Sequence, residues 1–307
     1  MKFNLPFCVS LLFAFTNLIG NNCRGQPAGT KATAELKFEV RGDDVELVVL
    51  DVLLPKTEAR RQKVAAIEYS SPPKLVYEKD GQQYAQFRFV VFPSQLTIKF
   101  DLEVLRYDLT TAKLNPQPRK ETPESLAQWL VHEKYLEKDA LFVRQIANRL
   151  TGSNRTALVQ ACFDHVVKNL QRTSHTEQDV GGLRTLFDKK GDCTEFADAF
   201  ITLCRAKGIP ARNCTGYILG PFSDTARHDW AEVYFGEFGW VPFDPHHTQA
   251  ERTTKFGELR PKYLAIERQR RNAVLNLHHF WSYTYVGNGK ATVTDSFTTL
   301  SQEELKK

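Results

Sequence analysis

The chain has 307 residues, of which 25% are charged and 42% hydrophobic, and a formal net charge of +5. One compact core rarely takes so many residues, and that balance excludes gross disorder. No basic stripe with interleaved aromatics is present, so the sequence argues against nucleic acid as a partner.

The opening stretch MKFNLPFCVSLLFAFTNLIGNNCRGQ reads as a secretory signal. Lys2 supplies the positive start, Leu5 to Ile19 is mostly apolar, and Cys23 and Gly25 suit the small-residue positions before a cleavage after Gly25. Pro6, Ser10, Thr16 and Asn17 interrupt the run, which argues against a stable membrane span. Asn21 and Asn22 are bulky for lipidation at Cys23. The expectation is a secreted or periplasmic protein that loses residues 1–25.

From about Thr30 to Leu109 the residues alternate with period two, within a unit expected to span 26–112. In LTIKFDLEV, Leu96, Ile98, Phe100, Leu102 and Val104 alternate with polar residues, and KDG at Lys79–Gly81 marks a hairpin turn. This predicts an antiparallel β-sandwich, each strand burying one face. It holds no cluster of catalytic residue types, so its role is structural or the docking of a protein partner. TTAKLNPQPRKETPES, with Pro116, Pro118 and Pro123, reads as a linker.

From 113 to 297, helical patterns such as DALFVRQIANRL and RTALVQACFDHVVKNL give way to short strands, an α+β order. His165 falls on a helix surface or core edge. VGNGK reads as a turn before ATVTDSF, ERQRR at Glu267–Arg271 as a solvated helix face, and 298–307 as a frayed tail.

Six cysteines occur, at Cys8, Cys23, Cys162, Cys193, Cys204 and Cys214, with no CxxC pair. That argues against zinc and against a thioredoxin-type site. Cys162, Cys204 and Cys214 suit apolar burial as free thiols, Cys204 and Cys214 being the pair best placed if a disulfide forms. Neither a GxGxxG nor a P-loop nor an acidic calcium loop is present, so no cofactor is expected. His246 and His247, adjacent on an expected strand, would face opposite ways and make a poor metal pair.

Cys193 is different. Asp192 is a good N-cap and Glu195 completes a reciprocal capping pattern. Phe196, Ala197, Phe200, Ile201, Leu203 and Cys204 form an apolar face, and Gly208 and Pro210 end the helix. Cys193 thus sits in the first turn, where free N–H groups and the helix dipole favour a thiolate and can hold an oxyanion. Downstream, ARHDWAEVYFGEFGWVPFDPHH puts His228 at the head of one strand and Asp244 at the end of the next. Thiol, imidazole and carboxylate from three elements make a candidate Cys-His-Asp triad. His228 and Asp244 can meet only if they share a face, which demands an odd-length loop, expected around Gly236, or a bulge that restores the register. Trp230 and Trp240 read as core packing of this strand pair.

GDCTEFADAFITLCRAKGIPARNCTGY and HDWAEVYFGEFGWVPFDP together resemble the transglutaminase-like superfamily, of papain-like cysteine hydrolase fold and exported bacterial type. The resemblance covers roughly Glu121 to Phe297. It implies that Cys193 is the nucleophile, His228 general base and then acid, and Asp244 the orienter. Gln171, standing where related sequences often carry an aromatic, is the candidate second oxyanion donor through its side-chain amide. The implied reaction is acyl transfer on a peptide, protein or cell-wall peptide, with hydrolysis favoured. An amine-incorporating cross-linker shares every one of these residues, and a non-enzymatic binding scaffold shares the fold. Replacing Asp192 with Ala is expected to cost about 0.5–2 kcal/mol through the lost cap. Chemical denaturation and turnover, measured together, check it: both should fall.

Overall fold

The alternating N-terminal pattern forms strands. In the computed structural model, which describes residues 28–114, 121–175, 178–220, 227–251, 255–275 and 280–305, they are β1 (Gly29–Leu54), β2 (Gln62–Tyr69), β3 (Leu75–Lys79), β4 (Gln82–Phe89) and β5 (Ser94–Leu105). The expected signal segment, with Pro116 and Pro118 of the expected linker, lies outside the described residues. There follow β6 (Tyr107–Asp108), α1 (Leu109–Leu114), α2 (Pro123–Ala127), α3 (Leu141–Arg149), α4 (Arg155–Asn169), β7 (Gln171–Arg172), α5 (Gly181–Asp188) and β8 (Lys190–Gly191). The rest are α6 (Cys193–Ala206), β9 (Ala211–Ile218), β10 (Arg227–Phe235), β11 (Gly239–Phe243), α7 (Pro245–Glu251), β12 (Glu258–Leu259), β13 (Tyr263–Glu267) and β14 (Trp281–Leu305).

β1 pairs with β14 almost end to end, from Gly29 opposite Leu305 to Val52 opposite Trp281. β5 pairs with the first half of β1 and β4 with the second, while β2 extends β5 and β3 extends β4. The ribbon bends where register shifts interrupt Asp43, Val45 and Leu47, opposite Gly287 at φ 142°. A Cβ at Gly287 would lie 2.5 Å from the Asp44 carbonyl, so the bend needs glycine there. One six-stranded antiparallel sheet therefore curls on itself, and its two halves share a core that includes Phe38, Leu50, Phe87 and Phe100. The two layers of the expected sandwich are the halves of this one sheet. The KDG turn is present, with Asp80 and Gly81 both at positive φ.

β14 corrects three expectations. VGNGK is not a turn but the bend inside a continuous strand. The residues expected to close the second unit, up to 297, instead belong to the N-terminal sheet. The tail expected at 298–307 is strand as far as Leu305. A 25-residue strand with glycines at its middle reads as two strands and a turn, and only its long partner shows otherwise. TTAKL of the expected linker is also helical, in α1.

The second unit is an antiparallel sheet in the order β11-β10-β9-β13, with α6 packed against one face. Phe163 of α4 meets Phe200 of α6 at 5.6 Å and Phe243 of β11 at 6.0 Å between ring centroids. Cys162, Cys204 and Cys214 are buried free thiols, and burial pushes the Cys204 and Cys214 thiols up. The architecture is α+β with a curled N-terminal antiparallel sheet.

The two units share buried polar contacts. The Gln62 amide donates to the Ala265 carbonyl and accepts from its N–H, both at 2.8 Å, filling the gap where β13 bulges away from β9. ERQRR is not a solvated helix face: Glu267, Arg268 and Arg270 are buried at the end of β13 and just after it. Arg270 Nε donates to both Asp198 oxygens of α6 at 2.9 and 3.1 Å, and its Nη2 lies 2.9 Å from Asp179. Arg268 reaches Glu58 at 2.5 Å and Glu232 at 3.1 Å. Nothing in so charged a run signals burial, because the partners lie far away in sequence. Burial already raises the Asp198 carboxyl to about 7, and Arg270→Ala would strip it of its guanidinium partner in the core, an expected loss of about 3–5 kcal/mol. Urea unfolding checks this, and the double variant Asp198→Asn with Arg270→Gln should lose less than the sum of its single variants.

Candidate functional site

The site grows from the start of α6. The Asp192 side chain accepts the Thr194 N–H at 2.9 Å, and Glu195 Oε2 accepts the Asp192 N–H at 3.2 Å, closing the expected capping box. Glu195 folds directly over Gly191, where a Cβ would lie 2.2 Å from the Glu195 Cβ. Burial and the neighbouring Asp192 raise the Glu195 carboxyl to about 8. Cys193 follows as the first residue of the helix, half-buried where the residues around it are buried.

The β10–β11 hairpin brings the next two groups. Phe235 pairs with Gly239, so the loop is Gly236 to Phe238, three residues, and is centred on Glu237 rather than the expected Gly236. Odd loop length keeps even-numbered residues of both strands on one face. Ala231 opposite Phe243 sets Asp244 beside Trp230, one pleat along from His228 on the same face. The contact is diagonal, and His228 Nε2 meets Asp244 Oδ2 at 2.7 Å. Both are buried, His228 at 5% and Asp244 at 1% exposure.

A second clamp joins α6 and β10. Thr194, the neighbour of Cys193, donates its hydroxyl to Asp229, the neighbour of His228, at 2.7 Å. Asp229 also accepts from Asn213 at 3.1 Å and from the Thr215 hydroxyl. Burial opposes charge on His228, but the Asp244 carboxylate and Cys193, which also hydrogen-bonds the ring, outweigh it and raise the imidazole to about 10. Burial likewise works against ionised Asp244, and the facing imidazolium holds it well below the usual carboxylate range.

Asp244 is held on all sides. The Tyr263 hydroxyl donates to Oδ2 at 2.7 Å, and the His247 N–H donates to Oδ1 at 2.8 Å. His247 Nδ1 lies 2.5 Å from the Tyr263 hydroxyl, and its ring stacks on His228 at 4.1 Å. His246 and His247 are on α7, not on a strand, so they do not diverge. His228, His246 and His247 can bring one ring nitrogen each within 4.8 Å of one another. Their chemistry does not fit a cation, because the Arg172 guanidinium donates to His246 Nε2 at 3.0 Å and His228 is itself cationic. Burial and the His228 charge push His246 down to about 3, which keeps it neutral.

Gln171 is exposed on β7, and its N–H is used by the Lys189 carbonyl at 2.8 Å. His165 is half-buried on α4, at the core edge as expected. Trp230 is core, whereas Trp240 is half-buried beneath the Arg212 guanidinium at 4.0 Å. A cleft of about 530 Å³ lies elsewhere. Tyr234, Trp240, Arg61 and Arg212 line it at the turn end of the hairpin, opposite the end that carries His228 and Asp244. Sequence reasoning did not reach Thr194, Asp229 or Tyr263. Thr194 and Asp229 each follow a candidate site residue directly, which was the available signal.

The His228–Asp244 pair has a defined pH signature. A raised folded-state value makes the imidazolium's contribution complete below pH 6.5 and lost as pH climbs through about 10. The depressed Asp244 contributes fully above its ordinary 3.8 and loses that only in acid below it. Stability from the pair should therefore be greatest between pH 3.8 and 6.5. Imidazole NMR titration should find His228 cationic at pH 8, and Asp244→Asn should lower its midpoint.

Residues 144–245 match the model of the transglutaminase-like superfamily. The uncharacterized protein YebA of Bacillus subtilis (strain 168) is 39% identical over 166 residues, which are 45% of this chain and 22% of that protein. A protein-glutamine gamma-glutamyltransferase of Pseudomonas aeruginosa is 25% identical over 285 residues, 79% of this chain and 42% of that one. The chain spans less than two thirds of the length of the curated relatives it matches. Among solved structures, a candidate cysteine protease of Cytophaga hutchinsonii superposes with a TM-score of 0.59 at 17% identity, covering 90% of this chain and 92% of that one. The family match thus places a transglutaminase-like superfamily domain at residues 144–245, and the solved structure shares the fold.

Proposed function

We propose that this chain is an exported cysteine hydrolase that cleaves a peptide or amide bond by acyl transfer. The observation that carries the reading is the row of Cys193, His228 and Asp244, with the imidazole held as a cation between the cysteine sulfur and the carboxylate that it hydrogen-bonds at 2.7 Å. Cys193 is the nucleophile. His228 holds the proton given up by Cys193, and the thiolate attacks the acyl carbonyl to give a tetrahedral oxyanion beside the N-terminus of α6. His228 then protonates the leaving amine, the acyl-thioester forms, and water attacks it with His228 as base. Asp244 fixes the imidazole's tautomer and stabilises its cation. Tyr263 and the His247 N–H hold the carboxylate still.

The substrate is a peptide, a protein or a cell-wall peptide, and the curled sheet is a surface for a protein partner. The gamma-glutamyltransferase name of the Pseudomonas aeruginosa relative supports a second reading, in which an amine replaces water at the acyl-thioester. Acyl donor supplied with and without a primary amine separates the two. Hydrolysis should dominate, and Cys193→Ala should abolish turnover while retaining the fold. A dominant amine adduct in competition with water would overturn hydrolysis, and undiminished turnover in Cys193→Ala would overturn both.

A further inference from the structure

Arg172 is the charged side chain that the mechanism leaves unused, and its placement is specific. β7 and β8 pair in parallel with Arg172 opposite Gly191, two residues before Cys193. The Thr173 N–H bonds the Gly191 carbonyl at 2.9 Å, so this strand is fixed against the nucleophile loop. The guanidinium is anchored by one atom, Nε, which donates to His246 Nε2 at 3.0 Å. The His246 ring in turn packs on Phe196 in the first turn of α6 at 5.3 Å and lies 5.8 Å from the His228 ring. Arg172 is therefore tied to the same structure that carries the nucleophile and its histidine.

Anchoring through Nε leaves the two terminal nitrogens of the guanidinium, on an exposed residue, as a fork that no described residue engages. Among the described residues no carboxylate pairs with it. Such a fork matches the two oxygens of a carboxylate, and a guanidinium held at its base loses less freedom when it binds one. A neutral histidine as the anchor adds no negative charge of its own to compete.

We propose that Arg172 is a specificity-determining residue that selects substrates carrying a free carboxylate close to the scissile carbonyl, such as a peptide cleaved at its terminal residue. This rests on Cys193 being the nucleophile, and the test separates the two statements. Cys193 is alkylated with iodoacetate, which carries a carboxylate, and with neutral iodoacetamide, and the ratio of the two rates is measured. Arg172→Gln should lower the ratio about three- to tenfold and leave the iodoacetamide rate nearly unchanged. Arg172→Lys should retain part of the preference, and Lys190→Gln, which removes an exposed charge beside the same strand, should leave the ratio unchanged. An unchanged ratio in Arg172→Gln, or an equal drop in Lys190→Gln, would overturn the proposal while leaving the nucleophile in place. Cys193 reacting with both reagents as slowly as buried Cys204 would overturn both. With peptides, the preference for a carboxylate over a carboxamide at the same position should disappear in Arg172→Gln, mainly through KM.

Discussion

The buried charges at the end of β13 are the constraint on which the rest of the structure depends. Burying a charge is costly unless it is paired, so each of these residues dictates where a distant partner must lie. Arg270 pins α6 through Asp198 and the approach to α5 through Asp179. Arg268 pins β10 through Glu232 and the curled sheet through Glu58. Glu267 accepts from Gln82 of β4 at 2.5 Å and from Asn272 at 2.5 Å. Three elements of the second unit and two segments of the first are thereby fixed to one short stretch of chain.

Glu232 transmits this constraint to the site. Burial disfavours its charge, yet Arg268, Arg212 and Arg61 surround it and hold its carboxyl down to about 2. It lies on the same face of β10 as His228 and Trp230, four residues from the histidine. A strand fixed at Glu232, and fixed again at Asp229 by Thr194 and Asn213, has no freedom to slide or rotate. A slip of one residue would turn His228 into the core. The ion pairs stabilise modestly at best after desolvation, but they exclude alternative registers, a role that follows from the cost of breaking them.

The site was legible in sequence wherever the cause was local. Capping of α6 needs only Asp192, Glu195 and the apolar spacing behind them, and these lie within one turn of each other. The shared face of His228 and Asp244 needs only loop parity, and parity survives even though the loop centre is Glu237. What was not legible required knowledge of long-range partners. ERQRR looks solvated because its partners Asp198, Asp179, Glu58 and Glu232 are up to 210 residues away. β14 looks like two strands because β1, its template, lies at the other end of the described chain. The histidine pair was assigned to a strand because β11 runs up to Asp244, and nothing local shows that Pro245 begins a helix there.

That helix start has a chemical consequence. Pro is favoured at the first helical position, where its missing N–H is not needed. Starting α7 at Pro245 directs the next free N–H groups back toward Asp244, and the His247 N–H reaches Oδ1 at 2.8 Å. The carboxylate that orients His228 thus also caps α7, as Asp192 caps α6. Hydrogen bonds to the charged form of a carboxylate favour that form. With Tyr263 and His228 both at 2.7 Å from Oδ2, ionised Asp244 is satisfied without water. One residue therefore ends a strand, caps a helix and holds the imidazolium, so any substitution that frees α7 also loosens His228.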